Sequence, residues 1–339
     1  MIALPDPRGA VTDLLLHALP GAVAPLPEPE PTSDEDLHLA LYLCYELHYR
    51  GLPGVDDRWE WAPSLLALRG TLERRFEAQL RAEIPVRESA DAIDLELRAI
   101  ENGDSGPSLS QYLERDGTIE QYLEFVVHRS AYQLKEADPH SWALPRLTGG
   151  PKAAMVEIQA DEYGGGRAEC IHAELFAGAM DALGLDARYG AYVDHLPAVT
   201  LATVNLMSLF GLHRRLRGAI VGHLALFEMT SSIPNRRYAN GLRRLGFGAD
   251  ATAFYDEHVV ADAVHENIAA VDLAGGLADQ QPELTADILW GAAALDELER
   301  RFAHHLLGAW SAGESSLRRP IELPAAVAGT AASPAAPAR

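Results

Sequence analysis

FYDEHVVADAVHENIA, residues 254–269, spaces His258, Asp262 and His265 at i, i+4 and i+7. At about 100° per residue the three fall within roughly 60° of arc, on one face of one helix. Phe254, Ala261 and Ile268 share that face. An ionisable group on an apolar stripe costs free energy unless it is paired or bound to metal. Imidazole nitrogen together with carboxylate oxygen suits iron, manganese or zinc. The alternative is a helix whose two histidines are satisfied inside a buried polar network.

Other segments carry the same signature. In RLRGAIVGHLALFEMTSS, Ile220, Leu224 and Glu228 recur every four residues, so Glu228 sits on an apolar face of a helix expected over 212–232. Met155, Ile158 and Glu162 form a similar stripe in a helix expected over 152–163. His172 lines up with Ala168, Leu175, Phe176 and Ala179. Each of these, taken alone, could be a rim carboxylate or a hydrogen-bonded core histidine. Three carboxylates and three imidazoles suit two metal ions better than one, because a carboxylate can bridge two cations. Glu162 and His172 would differ by about 80° on one straight helix. Gly164, Gly165 and Gly166 between them permit a break. The glycine run has neither a preceding strand nor a GK[ST] ending, so it is a joint and not a phosphate loop.

The rest of the chain is read as helix, rich in Ala, Leu, Glu and Arg with few alternating β-branched runs. Ser33 is the expected cap of a helix reaching about Arg50 and stopping at Gly51. Further helices are expected at 64–83, 89–102, 117–137, 166–184, 197–210, 251–274 and 283–308. NGDSGPSL at 103–110 marks a composition shift. From about 311 the chain turns Ala- and Pro-rich without amphipathic pattern.

Lys and Arg number 28 against 49 Asp and Glu, a net charge of -21. That balance disfavours nucleic acid and anionic membrane surfaces as partners. Two cysteines, Cys44 and Cys170, cannot build a disulfide framework or a Cys-rich metal site. The N-terminus has no secretion-signal pattern and no apolar stretch is long enough for a spanning helix, so a cytoplasmic location is expected.

The set Glu162, His172, Glu228 and His258-x3-Asp262-x2-His265 resembles the haem-oxygenase-like di-iron oxidases and oxygenases, the iron-containing redox enzymes. LKEADPHSWALPRL, DEYGGGRAECIHAELF and the motif YELHYRG at 45–51 look typical of that family. The resemblance implies an all-α, haem-oxygenase-like bundle over 111–310. An N-terminal helical extension would occupy 1–110 and a disordered tail 311–339. It implies two non-haem irons held by those six residues, with O2 as co-substrate, no haem, and Glu228 as the bridging carboxylate. It adds Glu136 as an extra carboxylate ligand, against the alternative of a solvent-facing helix-end Glu. The implied reaction passes through a peroxo-diferric species. It N-oxygenates a small amine or amino acid, or desaturates or cleaves a related metabolite.

An external electron donor and a homodimer are compatible with the family. Arg236 and Arg237, with Arg243 or Arg244, could pair with a substrate carboxylate, or could be surface arginines. Tyr163 and Trp142 are candidate cavity residues. His128, His195, His213, His223, His304 and His305 show no ligand pattern. Two other readings remain at this point: a metal-dependent hydrolase on the same side chains, and a non-catalytic helical protein binding a small molecule or haem.

Overall fold

A computed structural model describes residues 4–85, 92–103, 106–322 and 324, leaving aside the side chains of 260 and 262–264. It is an all-α bundle, with no strand among the described residues. The N-terminal part contributes α1 (Ala10–Ala18), α2 (Asp34–Glu46), α3 (Pro63–Glu83) and α4 (Ile93–Glu101). Next come α5 (Leu109–Arg115), α6 (Ile119–Gln133), the one-turn α7 (Asp138–Ser141), α8 (Gly149–Glu162) and α9 (His172–Ala182). The chain continues through α10 (Ala198–Leu212), α11 (Arg217–Arg244), α12 (Ala249–Asn267), α13 (Gly276–Gln280) and α14 (Thr285–Ser311). A single apolar core runs from Val11 to Leu317 and takes residues from both sides of position 110.

Local chemistry starts several of these helices where the sequence places them. Ser33 caps α2, its hydroxyl accepting from the Asp36 amide at 3.2 Å. Thr118 and Gln121 exchange side-chain and backbone bonds at the start of α6, a capping box. At the other end, α2 stops at Glu46, earlier than expected. A turn follows, and the Gly51 amide donates back to the Glu46 carbonyl at 2.9 Å.

Other elements follow from tertiary contacts. α1 was not expected. Its first amides are capped from α2, with Val11 N and Thr12 N donating to the Asp36 carboxylate at 3.2 and 2.9 Å. SSIPNRRYANGLRRLG does not follow a helix ending at 232, as expected, but continues α11 to Arg244 with Pro234 inside it. Pro234 lacks an amide hydrogen, which by itself disfavours helix. The segment is held by packing on α5, α12 and α14, and by Arg244, which donates to the carbonyls of Leu113 and Gly117.

The single helix expected over 251–274 is instead α12 followed by a π-helical stretch, Ile268–Gly275, against α8 and α11. π-segments insert a residue into the helical ladder and recur beside functional sites. The helix expected over 89–102 is seen as α4; positions 89–91 lie outside the described residues.

The tail boundary at 311 needs correction. Ser316 and Leu317 are buried, and Glu124 accepts from Ser315 Oγ, Ser316 N and Ser316 Oγ at 2.5–2.9 Å. The segment after α14 is therefore strapped to α6 before the chain reaches the undescribed residues.

Candidate metal centre

Four helices and one turn converge on a buried group of carboxylates and imidazoles. Glu162 is the last residue of α8 and His172 the first of α9. Between them Gly164, Gly165 and Gly166 all have positive φ, and a Cβ at Gly164 would lie 2.7 Å from the Cys170 carbonyl carbon. Glycine there turns the chain through a sharp joint. The two side chains that a straight helix would separate are thereby brought together, His172 Nδ1 lying 3.0 Å from Glu162 Oε2. Glu228 comes from the middle of α11, and His258 and His265 come from α12. Glu136 stands in the turn between α6 and α7, followed by Ala137 at φ 72°, a left-handed conformation that non-glycine residues seldom adopt.

The potential ligand atoms fall into two sets. Glu136, Glu162, His172 and His258 make one; Glu162, Glu228 and His265 make the other. Within each set the atoms lie within 4.8 Å of one another, and all six residues are buried. Glu162 is common to both. Glu228, the expected bridging carboxylate, belongs to the second set. Glu136 is 4% exposed, so it is not the solvent-facing helix-end residue of the alternative reading. The side chain of Asp262 lies outside the described residues, although its backbone continues α12 between the two histidines.

Hydrogen bonds aim the imidazoles. His258 Nδ1 donates to the Phe254 carbonyl at 2.8 Å, leaving Nε2 to face Glu136 Oε2 at 3.6 Å. His265 Nε2 donates to Asp161 Oδ2 at 3.0 Å, leaving Nδ1 3.3 Å from Glu228 Oε2. A carboxylate behind a histidine fixes its tautomer and ring orientation for metal binding. Asp161 is a positioning residue that sequence reasoning missed. It is mostly exposed and belongs to no apolar stripe, so no pattern marks it.

Electrostatics agree with a cation site. Burial pushes the Glu162 carboxyl up, but His172, His258 and His265 outweigh it and hold it below its ordinary value. Burial lowers His172, and the adjacent Glu162 more than reverses this, so its pKa ends raised. His265 is lowered by burial and raised by Glu228, Asp161 and Glu162, reaching about 9. Three buried atoms here, Glu136 Oε2, His172 Nδ1 and His265 Nδ1, meet only ion-pair partners within the cluster, His258, Glu162 and Glu228, at 3.6, 3.0 and 3.3 Å. Burying such charged pairs carries a desolvation penalty on the order of several kcal/mol per ion, against which their attraction works. A divalent cation among these groups would offset that penalty, and mixed carboxylate and imidazole donors suit iron.

The other candidates lie elsewhere. Arg237 approaches Ser108 and Ser110 hydroxyls, Arg243 pairs with Asp256 at 2.6 Å, and Arg236 is exposed. Tyr163 and Trp142 line a separate cavity of about 460 Å³ with Asp138 and Ser141. His223, without an expected role, meets His140 at 3.0 Å between ring nitrogens.

Glu46 and Tyr49 of the YELHYRG motif reach toward the metal side of the molecule. Glu46 forms a buried ion pair with Lys135, the neighbour of Glu136, and accepts from Tyr189 at 2.5 Å. Another cavity, about 300 Å³, opens beside the His258 cluster, with Phe176 and Phe254 in its wall.

A model of the family described as iron-containing redox enzyme matches residues 123–319. The matched span contains every residue of both clusters. A search of curated proteins finds no match.

Proposed function

The chain belongs to the iron-containing redox enzyme family, and from that premise we propose that it is a non-haem di-iron oxidoreductase that activates O2. Its substrate is a small organic molecule that undergoes N-oxygenation, oxidative desaturation or C–C cleavage. The observation that carries the di-iron reading is the sharing of Glu162 between two buried ligand sets. A single-metal site has no need of a carboxylate placed between two groups of donors.

In this reading Glu136, Glu162, His172 and His258 hold one iron. Glu162, Glu228 and His265 hold the other, with Asp262 as a further ligand. Bound iron would supply the electrons and the Lewis acidity for work on O2. The residues supply the setting. Three carboxylates offset the cationic charge in a medium of low polarity. Asp161 keeps the His265 Nδ1 lone pair turned inward. Phe176 and Phe254, whose rings lie 5.0 Å apart, shield the cluster from water on the cavity side. An external electron donor completes the cycle. A hydrolase or a non-catalytic binding protein has no observation in its favour within this family.

The test is anaerobic Fe(II) titration of the metal-free protein, then rapid mixing with O2 under stopped-flow absorbance. The expected result is two irons per chain and a transient visible band, both lost in His258→Ala. Iron uptake indifferent to that substitution would overturn the site.

A further inference from the structure

The cavity beside the metal cluster has a chemistry of its own. Its volume, about 300 Å³, is that of a small organic ligand. Its wall is largely aromatic: Phe125, Phe176, Phe227 and Phe254 line it. Leu226 and Phe227 sit just before Glu228 on α11, and Phe254 is one turn before His258 on α12. The cavity thus lies against the stretches of α11 and α12 next to Glu228 and His258, with Phe176 and Phe254 in the wall between it and the cluster.

Two polar atoms in this wall make no hydrogen bond among the described residues. They are Gln133 Oε1 and the Tyr255 hydroxyl, and Tyr255 is only 2% exposed. Tyr255 lines the cavity with its ring against those of Phe254 and Tyr238, at 5.2 and 5.8 Å between centroids. Buried polar atoms are expensive to leave unpaired. An amide oxygen accepts and a phenol both donates and accepts, so the pair suits a ligand head with an N–H.

The charged groups of the wall are already spoken for or repel anions. Arg129 makes two bonds to Glu299, at 2.8 and 2.6 Å. Arg300 makes bonds of 2.7–2.9 Å to Glu297. Asp296 and Glu299 add negative charge to the lining. Arg237, whose guanidinium reaches the Ser108 and Ser110 hydroxyls at the cavity edge, also faces Glu114 at 4.0 Å, so each of these three guanidinium groups already has a partner.

We propose that this cavity is the substrate chamber and that it takes an apolar amine, uncharged in the bound state, in preference to a carboxylate or a free amino acid. The hydrocarbon or aromatic body fills the phenylalanine-lined space. The amine head meets Gln133 Oε1 and the Tyr255 hydroxyl at the metal-facing end. The proposal rests on the di-iron reading only for what happens after binding.

The test therefore uses the full chain without metal. Calorimetric titration compares three near-isosteres: para-ethylaniline, propylbenzene and para-ethylbenzoate. The aniline should bind about tenfold tighter than propylbenzene, as expected for paired buried polar groups, and the benzoate more weakly than either. Tyr255→Phe and Gln133→Leu should each erode the aniline's advantage and leave propylbenzene binding unchanged, which also reports that the variants are folded. A benzoate that binds as tightly as the aniline, or an advantage untouched by both substitutions, would overturn the proposal. Failure of Fe(II) binding would sink the metal centre and leave this series readable.

Discussion

Glu162 is the residue on which the centre turns, because both ligand sets need it. Glu162→Ala should reduce iron to near zero per chain after anaerobic loading. Glu136→Ala and His265→Ala should each leave about one iron, since each removes a donor from a single set. Metal analysis after desalting reads the three outcomes, and equal losses in all of them would mean that the sets are not separate. At the same scale, Asp161→Asn keeps the shape behind His265 and weakens the orienting carboxylate. Its expected effect is a roughly tenfold or greater loss of iron affinity with the helical circular dichroism unchanged.

Among the helices, the tightest contact is the crossing of α11 and α14. A Cβ on Gly222 would sit 1.8 Å from the Ile288 carbonyl oxygen, and one on Gly291 would sit 2.0 Å from that of Ala219. The two backbones touch because neither position has a side chain. Gly222→Ala should force the helices apart and cost about 3 kcal/mol or more, seen as a lower urea midpoint. An unchanged midpoint would mean that the crossing relaxes freely. The N-terminal extension bears on the centre through α2. Lys135 is fully buried against Glu46 and lies 4.3 Å from the centre of the Tyr49 ring. Glu46→Leu strands that ammonium, a loss of about 3–5 kcal/mol for a broken buried pair. The double variant with Lys135→Met should recover most of the stability, which thermal melts of the three variants would show.

Taken whole, the molecule buries several histidines that belong to neither ligand set, and these make its stability depend on pH. His38 is packed against Phe76 and pushed down by burial, from 6.5 to about 4, with Asp34 opposing and Arg75 adding to the shift. His140 is likewise pushed down by burial to about 4. Between pH 6.5 and 4 the unfolded chain takes up protons that the folded chain refuses. Stability from these groups is thus full above pH 6.5 and falls as pH drops toward 4. His38→Gln should remove about 3 kcal/mol of that dependence. The urea midpoint followed across the window would then fall less steeply than in the parent, and an equal slope would show that His38 is not the group responsible.

Residue spacing alone was enough for the helical class, most helix positions, and the faces that carry Glu162, His172, Glu228, His258 and His265. These are local matters: a turn of 3.6 residues converts spacing directly into direction. Even the glycine joint between Glu162 and His172 was legible, since an 80° mismatch beside three glycines calls for a break. Tertiary packing set which carboxylate the two ligand sets share, that Glu136 is buried, that Asp161 backs His265, and that Arg236 is exposed while Arg237 reaches Ser108 and Ser110 at the cavity edge. It also decided that Pro234 stays helical and that YELHYRG anchors the turn bearing Glu136. Each of these depends on where one helix crosses another distant in sequence, as Glu46 meets Lys135 across 89 positions, and no periodicity within either segment encodes that meeting.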